Sequence, residues 1–488
     1  MNKRILLTLL TAGLLLTSCG NAATVTETTD ETGDTTVEPP AETVDPIAEA
    51  KNDYYSSIGT VSAPGVEIMF LSETDDVAVE EETGEKFNDA VWYRNIEVED
   101  RLNVKISHEA RDNDGSTAKT LTNNVLAGDG TYDAATVWTH YAASMIASNT
   151  LLDLNTIPHL QMDQKWWNQV ANKNMSLAGK QYVALSSLNH YADSVAEMVM
   201  MNKDMCINYN MDIPYDAVKE GKWTYDMMWT MMNTLPQDSN GDGNMDTSDI
   251  IGLVTQMADI DASMVSCGVD FFAKNDKDIP EFILNSEINV DKFNTIFNIY
   301  NDKTRTVTVQ KDIKEDPWHY WEFKFKEGEA LFLMNFPCNL YAFVEMEQDF
   351  SILPMPKYNE AQETYRTMTS VWYTSCIVTP KVFDADPGDI GLVIDALSFL
   401  SYVDVEPTFV AAYLEQRWIR DPESAEMMTI ALENKYYDPG FLMNFQWGTA
   451  IGIPSSLVTA GKDNFVSTVV SKAATIEKAI EKTITNIE

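Results

Sequence analysis

The run Asp238-Ser239-Asn240-Gly241-Asp242-Gly243-Asn244-Met245-Asp246-Thr247-Ser248-Asp249 sets oxygen-bearing side chains at alternate positions around a glycine. That spacing suits a hard divalent cation. Calcium takes six to eight oxygens in a flexible shell, and its twelve-residue loop draws them from positions 1, 3, 5, 7, 9 and 12, with glycine at 6 for the turn. Asp238, Asn240 and Asp242 would supply the first three oxygens, Asn244 its backbone carbonyl, Asp246 a contact through water, and Asp249 the last. Asp249 is one methylene shorter than the usual glutamate, which calcium tolerates better than magnesium with its stricter octahedron. The competing reading is an acidic turn without metal. Pro236 ends the preceding helix and Ile250 to Val254 looks extended, so a structural calcium ion on an isolated loop is expected, not a helix–loop–helix sensor.

Catalytic chemistry finds no such foothold. The patterns G-x-S-x-G, H-E-x-x-H, G-x-x-x-x-G-K-[ST] and G-x-G-x-x-G are absent. Five histidines include no i, i+4 pair, and with 75 acidic residues a pair of carboxylates carries no information by itself. Five cysteines contain no C-x-x-C, which removes zinc ribbons and dithiol redox motifs. Cys206, Cys267, Cys338 and Cys376 have wide spacing, and both two disulfides and free buried thiols fit it.

The elements that position these groups begin with a targeting segment. Lys3 and Arg4 precede the apolar run Ile5 to Leu16, and Leu16-Thr17-Ser18-Cys19 follows. A positive start, a short apolar run and small residues make a secretory signal. The run falls short of the roughly 20 residues that a membrane-spanning helix needs. A cysteine directly after small residues resembles the lipobox of bacterial lipoproteins, which implies cleavage before Cys19 and acylation of its thiol. The remaining chain would then be held by lipid on the outer face of the cell membrane. Residues 19–63 read as an acidic, Thr-rich tether with too little apolar surface to offset ordering entropy. The net charge of −41 repels nucleic acid and anionic headgroups, so neither is expected as a partner.

From Val66 the pattern alternates. Val66 to Leu71 reads as a buried strand, Phe87 to Leu102 as a helix, Val104 to Ile106 as a strand, Ala118 to Ala127 as a helix and Tyr132 to Trp138 as a strand. Alternation of this kind implies an α/β fold with a parallel sheet, whose ligands bind beyond the carboxyl ends of the strands. Met227, Met228, Met231 and Met232 fall on adjacent helical turns and read as core filling.

An ordered set of fragments then accumulates: Asp133 to Trp138, Leu151 to Leu154, Lys165-Trp166-Trp167-Asn168, Gly179 to Val183, Met200 to Asp204, Lys326 to Asn335 and Phe350 to Pro356. In this order, behind a lipobox, they resemble the extracellular solute-binding proteins of bacterial ABC importers, the sugar-binding group related to maltose-binding protein. The resemblance implies a two-lobed, type II periplasmic-binding-protein-like fold with the ligand cleft between the lobes. It divides the chain into a signal peptide (1–18), the lipidated cysteine and tether (19–63), lobe 1 (64–185), lobe 2 (186–369, carrying the loop 238–249), a return to lobe 1 (370–405) and a return to lobe 2 (406–488). Crossings are expected near Tyr182 to Tyr191, Thr369 to Ser375 and Val403 to Thr408.

A sugar presents C–H faces to aromatic rings and hydroxyls to polar side chains. On that logic Trp138, His140, Asn189, His190, Trp372, Tyr373 and Trp447 are the candidate ligand contacts, Trp138 through its position after the strand that ends at the cleft. Trp166 and Trp167 read as packing. Cys338 stands just after a proline where some relatives carry an aromatic ligand residue. The expected function is capture of an extracellular carbohydrate, an oligosaccharide, by a monomer that delivers it to a membrane permease, without catalysis. Competing readings are a binding protein for peptide or another polar solute, a calcium-dependent surface adhesion or scaffold module, and a glycan-cleaving enzyme.

Overall fold

The computed structural model describes residues 45–487 apart from Asp75, residues 112–114, Val371 and Arg417. The leader and Cys19 lie outside the described residues. Nine strands build two main sheets: β1 (Val66–Ser72), β2 (Val104–Ala110), β3 (Ala134–Trp138), β4 (Met198–Asn202), β5 (Ile251–Thr255), β6 (Thr306–Thr308), β7 (Ala330–Asn335), β8 (Phe350–Pro354) and β9 (Ser375–Val378). The first sheet has the order β9-β3-β1-β2 and the second the order β8-β4-β7-β5-β6. In the first, β1 runs parallel to both β2 and β3, and β9 is antiparallel to β3. In the second, β5 runs parallel to β6 and β7, while β4 is antiparallel to β7 and β8. Each sheet with its helices forms one lobe of an α/β fold.

The strands next to the crossings are buried throughout because both faces are covered. Ala134 to Trp138 and Met198 to Asn202 read as continuous apolar runs for that reason. Near the expected first and second crossings, Ala184 bridges Ile377 of β9 and Ala196 bridges Thr369 ahead of it. Where the third crossing is expected, the π-helical turn Ser401–Val405 continues the helix Pro387–Leu400 and leads into the helix Glu406–Glu415. One apolar cluster, with Phe70, Val98 and Leu397, belongs to lobe 1, and another, with Met200, Phe325 and Phe350, to lobe 2. A third is continuous across both and holds Val137 together with Met201, Trp223 and Trp447. Met228, Met231 and Met232 are buried in it, as their spacing suggests.

Three sequence expectations are corrected or sharpened. The tether does not extend unstructured to residue 63: Pro46–Ser57 is a helix in which Tyr54 is buried. Its ring stacks on Phe399 at 4.0 Å and its hydroxyl donates to Asp395 at 2.8 Å. Trp166 and Trp167 are buried as expected, and both indole N–H groups donate to that same Asp395 carboxylate, at 3.2 and 2.9 Å. The cysteines Cys206, Cys267, Cys338 and Cys376 are free thiols. No helix among the described residues is long and apolar enough to cross a membrane.

Candidate ligand-binding site

Strand β3 delivers Trp138 to the carboxyl end of the lobe 1 sheet. Trp138 is the N-cap of the following helix Thr139–Ala147, which sets His140 and Tyr141 on its first turn. Backbone contacts fix the junction: Trp138 N–H donates to Glu73 Oε2 at 3.2 Å, and Thr139 N–H to the carbonyl of Thr374 at 2.9 Å. The second bond ties this corner to the second crossing, so Trp372 and Tyr373 arrive beside it.

Six aromatic side chains meet there. Trp138 packs edge to face on Tyr373 at 4.8 Å and lies nearly parallel to Tyr141 at 6.1 Å. His140 lies 3.9 Å from Tyr141, 5.5 Å from Trp372 and 5.8 Å from Phe445. Trp372 and Phe445 close the ring of contacts at 4.3 Å. The cluster is graded in exposure: Trp138 is 4% exposed, while Trp372 and Tyr373 are 48% and 44% exposed. A buried indole floor with half-exposed walls can cover an apolar ligand face and still admit the ligand. Trp138 Nε1 is buried without a hydrogen-bond partner. Burial pushes the His140 imidazole down to about 4, partly offset by a hydrogen bond with the Trp372 backbone, so the ring is neutral at physiological pH.

A polar cluster lies at the end of β1. Asp76, 0% exposed, accepts hydrogen bonds from the Ser375 hydroxyl, from Thr74 Oγ1 at 2.8 Å and from the Tyr191 N–H at 2.8 Å. His190 stands 3.5 Å from the same carboxylate and packs edge to face on Phe87. Asn189 donates to Ser375 Oγ at 3.2 Å. It also lines a cavity of about 180 Å³ bounded by Trp166, Ser187, Asp193, Tyr402, Glu406 and Lys435, among others. None of the six clustered aromatics lines that cavity.

Thus Trp138, His140, Trp372 and Tyr373 come together. Asn189 and His190 lie where the first crossing is expected, linked to this corner through Ser375. Trp447 does not join them. It is fully buried, packs on Phe272 at 5.5 Å and donates from Nε1 to Thr483 Oγ1 at 3.0 Å. Phe445, two residues earlier, takes the place the sequence reading gave to Trp447. Sequence reasoning also passed over Glu197 and Asp259, which are 3% and 0% exposed. Glu197 immediately precedes β4 at the end where Met198 pairs with Asn335, and Asp259 lies on the first turn of the helix after β5. Asp259 thus follows the carboxyl end of β5, and Glu197, at the amino end of antiparallel β4, lies level with the carboxyl end of β7. Burial, with the other carboxylate beside it, holds the Glu197 proton well above the usual range.

The loop 238–249 is folded on its own backbone. Asp238 accepts N–H groups of Gly241, Asp242 and Gly243 at 2.8, 3.0 and 2.9 Å, and Asp249 accepts those of Ser239 and Asp246 at 2.7 and 3.0 Å. Among the described residues, no group of three or more His, Cys, Asp or Glu side chains converges as a metal site.

No family model matches the sequence, and no curated protein matches it. Solved structures do. A cyclic α-maltosyl-1,6-maltose binding protein from Arthrobacter globiformis superposes with a TM-score of 0.57 at 13% identity, covering 86% of this chain and 99% of its own. The sugar-binding protein of Xanthomonas citri gives 0.58 at 12% identity, with 86% and 98% covered. An ABC substrate-binding protein of Listeria monocytogenes, solved with cycloalternan, gives 0.52 at 14% identity, with 86% and 99% covered. The fold is that of the ABC substrate-binding proteins. At these identities it is the two-lobed architecture that is shared.

Proposed function

We propose that this chain is the solute-capturing component of a bacterial ABC importer and that its ligand is a carbohydrate. The observation that carries the reading is the graded aromatic cluster of Trp138, His140, Tyr141, Trp372, Tyr373 and Phe445, set where β3 meets the second crossing of a substrate-binding-protein fold. Aromatic walls match the C–H face of a pyranose, and Trp138 Nε1 offers a donor to its rim. The similar structures from Arthrobacter, Xanthomonas and Listeria are described as binding sugars. The chain would act as a monomer, retain its ligand unchanged and hand it to permease subunits. Cys19 would carry the lipid that keeps it on the outer face of the cell membrane. The loop 238–249 would hold a structural calcium ion away from the cleft.

The test is a thermal-shift screen of the leaderless chain against oligosaccharides and peptides, with the ligand recovered afterwards by chromatography. A carbohydrate should raise the midpoint with increasing concentration, as mass action requires, and return intact. A response to peptides alone moves the ligand class. A shortened sugar indicates a glycan-cleaving enzyme.

A further inference from the structure

The π-helical third passage is held side chain by side chain. Ser401 Oγ accepts Arg94 Nη1 at 2.9 Å, and the Lys165 ammonium stands 4.9 Å from the Tyr402 ring centre. Asp404 Oδ2 pairs with Lys51 Nζ at 2.7 Å, and Glu406 Oε2 accepts the Ser187 hydroxyl at 2.8 Å. Arg94 and Lys165 belong to lobe 1 and Ser187 to the first crossing. Lys51 is different: it comes from ahead of the first strand, in the helix Pro46–Ser57.

Lys51 is well seated. Its ammonium also reaches Glu97 Oε2 at 2.8 Å, and its side chain is 16% exposed. One turn on, the Tyr54 hydroxyl donates to Asp395 and its ring stacks on Phe399. Asp395 and Phe399 lie on the helix Pro387–Leu400, which runs directly into the π turn. The same short segment therefore grips both the turn and the helix that feeds it. A π turn inserts an extra residue into the helical hydrogen-bond ladder, an arrangement that is rare and needs support from its surroundings.

We propose that residues 50–57 are a strap that positions the third crossing, with Lys51 on Asp404 and Tyr54 on Asp395, so that the lobes turn about a passage fixed to lobe 1. This deepens the reading of the chain as a hinged binding protein. Lys51 and Tyr54 touch no ligand; they are positioning residues. An apolar side chain at 51 frees the Asp404 carboxylate and loosens the turn, while the remote β7 is left as it is.

Hydrogen exchange followed by mass spectrometry on the wild type, Lys51→Met, Lys51→Arg and Tyr54→Phe decides it. Lys51→Met should speed exchange across 401–405 by about tenfold, and Tyr54→Phe by less, with 330–335 unchanged. Lys51→Arg should restore the wild-type rate. Wild-type exchange at 401–405 in Lys51→Met overturns the strap. A uniform rise that includes 330–335 overturns it as well, because it marks a general loss of stability. A stopped-flow measurement with the sugar found by thermal shift should show a changed dissociation rate in Lys51→Met, and an unchanged one overturns the link to lobe motion. A wild type that binds no sugar overturns the ligand reading instead, and the exchange data still judge the strap.

Discussion

The rings of Trp138 and Tyr373 meet edge to face with centroids 4.8 Å apart, one at the end of a lobe 1 strand and the other on the segment that crosses between lobes. This contact joins the floor of the candidate site, at the end of a sheet strand, to its half-exposed wall. Trp138→Ala and Trp372→Ala should each weaken carbohydrate binding by about 10–100-fold, roughly the loss of one central aromatic anchor. Trp447→Phe should leave affinity unchanged while lowering stability, since Trp447 gives its N–H to Thr483 inside the core. Calorimetric titration of the three variants, with urea unfolding alongside, separates the two effects.

Asp395 gathers donors from far along the chain: Tyr54, Trp166, Trp167 and both the backbone and side-chain nitrogens of Gln161. Asp395→Ala strips them of their acceptor within a buried site. A loss of about 3 kcal/mol or more in unfolding free energy is expected, because a buried donor without a partner costs about 1–3 kcal/mol. Urea melts with matched m-values check it.

Four buried carboxyl groups in lobe 2 and the return segment set a pH dependence. Burial raises Asp259 to about 6, Asp438 to about 7 and Asp261 to about 8, and Glu197 well above its ordinary range. Each holds its proton more tightly folded than unfolded. The stability they contribute is therefore complete below the ordinary carboxylate range and is lost as pH rises through about 6 to 8. The midpoint of urea unfolding should fall from pH 5.5 to pH 8.5, each fully titrating group adding at most about 1.4 kcal/mol per pH unit. Asp261→Asn, which imitates the protonated acid, should flatten the upper part of that curve. A flat profile in the wild type contradicts the assignment.

Calcium titrated onto the leaderless chain should release heat from one site and raise the thermal midpoint. Asp238→Ala, which takes away the acceptor of three backbone N–H groups, and Asp242→Ala should both abolish the heat. Equal heats from wild type and Asp242→Ala would end the calcium proposal.

Much of the architecture was legible because local chemistry agreed with the global arrangement. Ala134 to Trp138 reads as a strand from its apolar run, and the corner after it places Trp138 and His140 without knowledge of any distant residue. What stayed hidden depends on partners far along the chain. The helix at 46–57 shows little apolar periodicity; Tyr54 carries its burial, and the acceptor for that hydroxyl is Asp395. Trp447 and Phe445 lie in an irregular stretch with no period to say which ring turns inward. Glu197 and Asp259 were lost among 75 acids, since composition does not distinguish a buried carboxyl from a solvated one. The sequence places a crossing near Val403 to Thr408 but not the π turn Ser401–Val405, whose contacts with Arg94, Lys165 and Lys51 come from far along the chain.

Trp372 rides on the crossing itself, with its indole 48% exposed and leaning on Phe445. An indole half in water beside the candidate site would make a built-in optical gauge. Under the proposed function, a bound ligand would displace that water, and the shift in the colour of this ring's light, one of 11 tryptophans, would report occupancy with no dye attached.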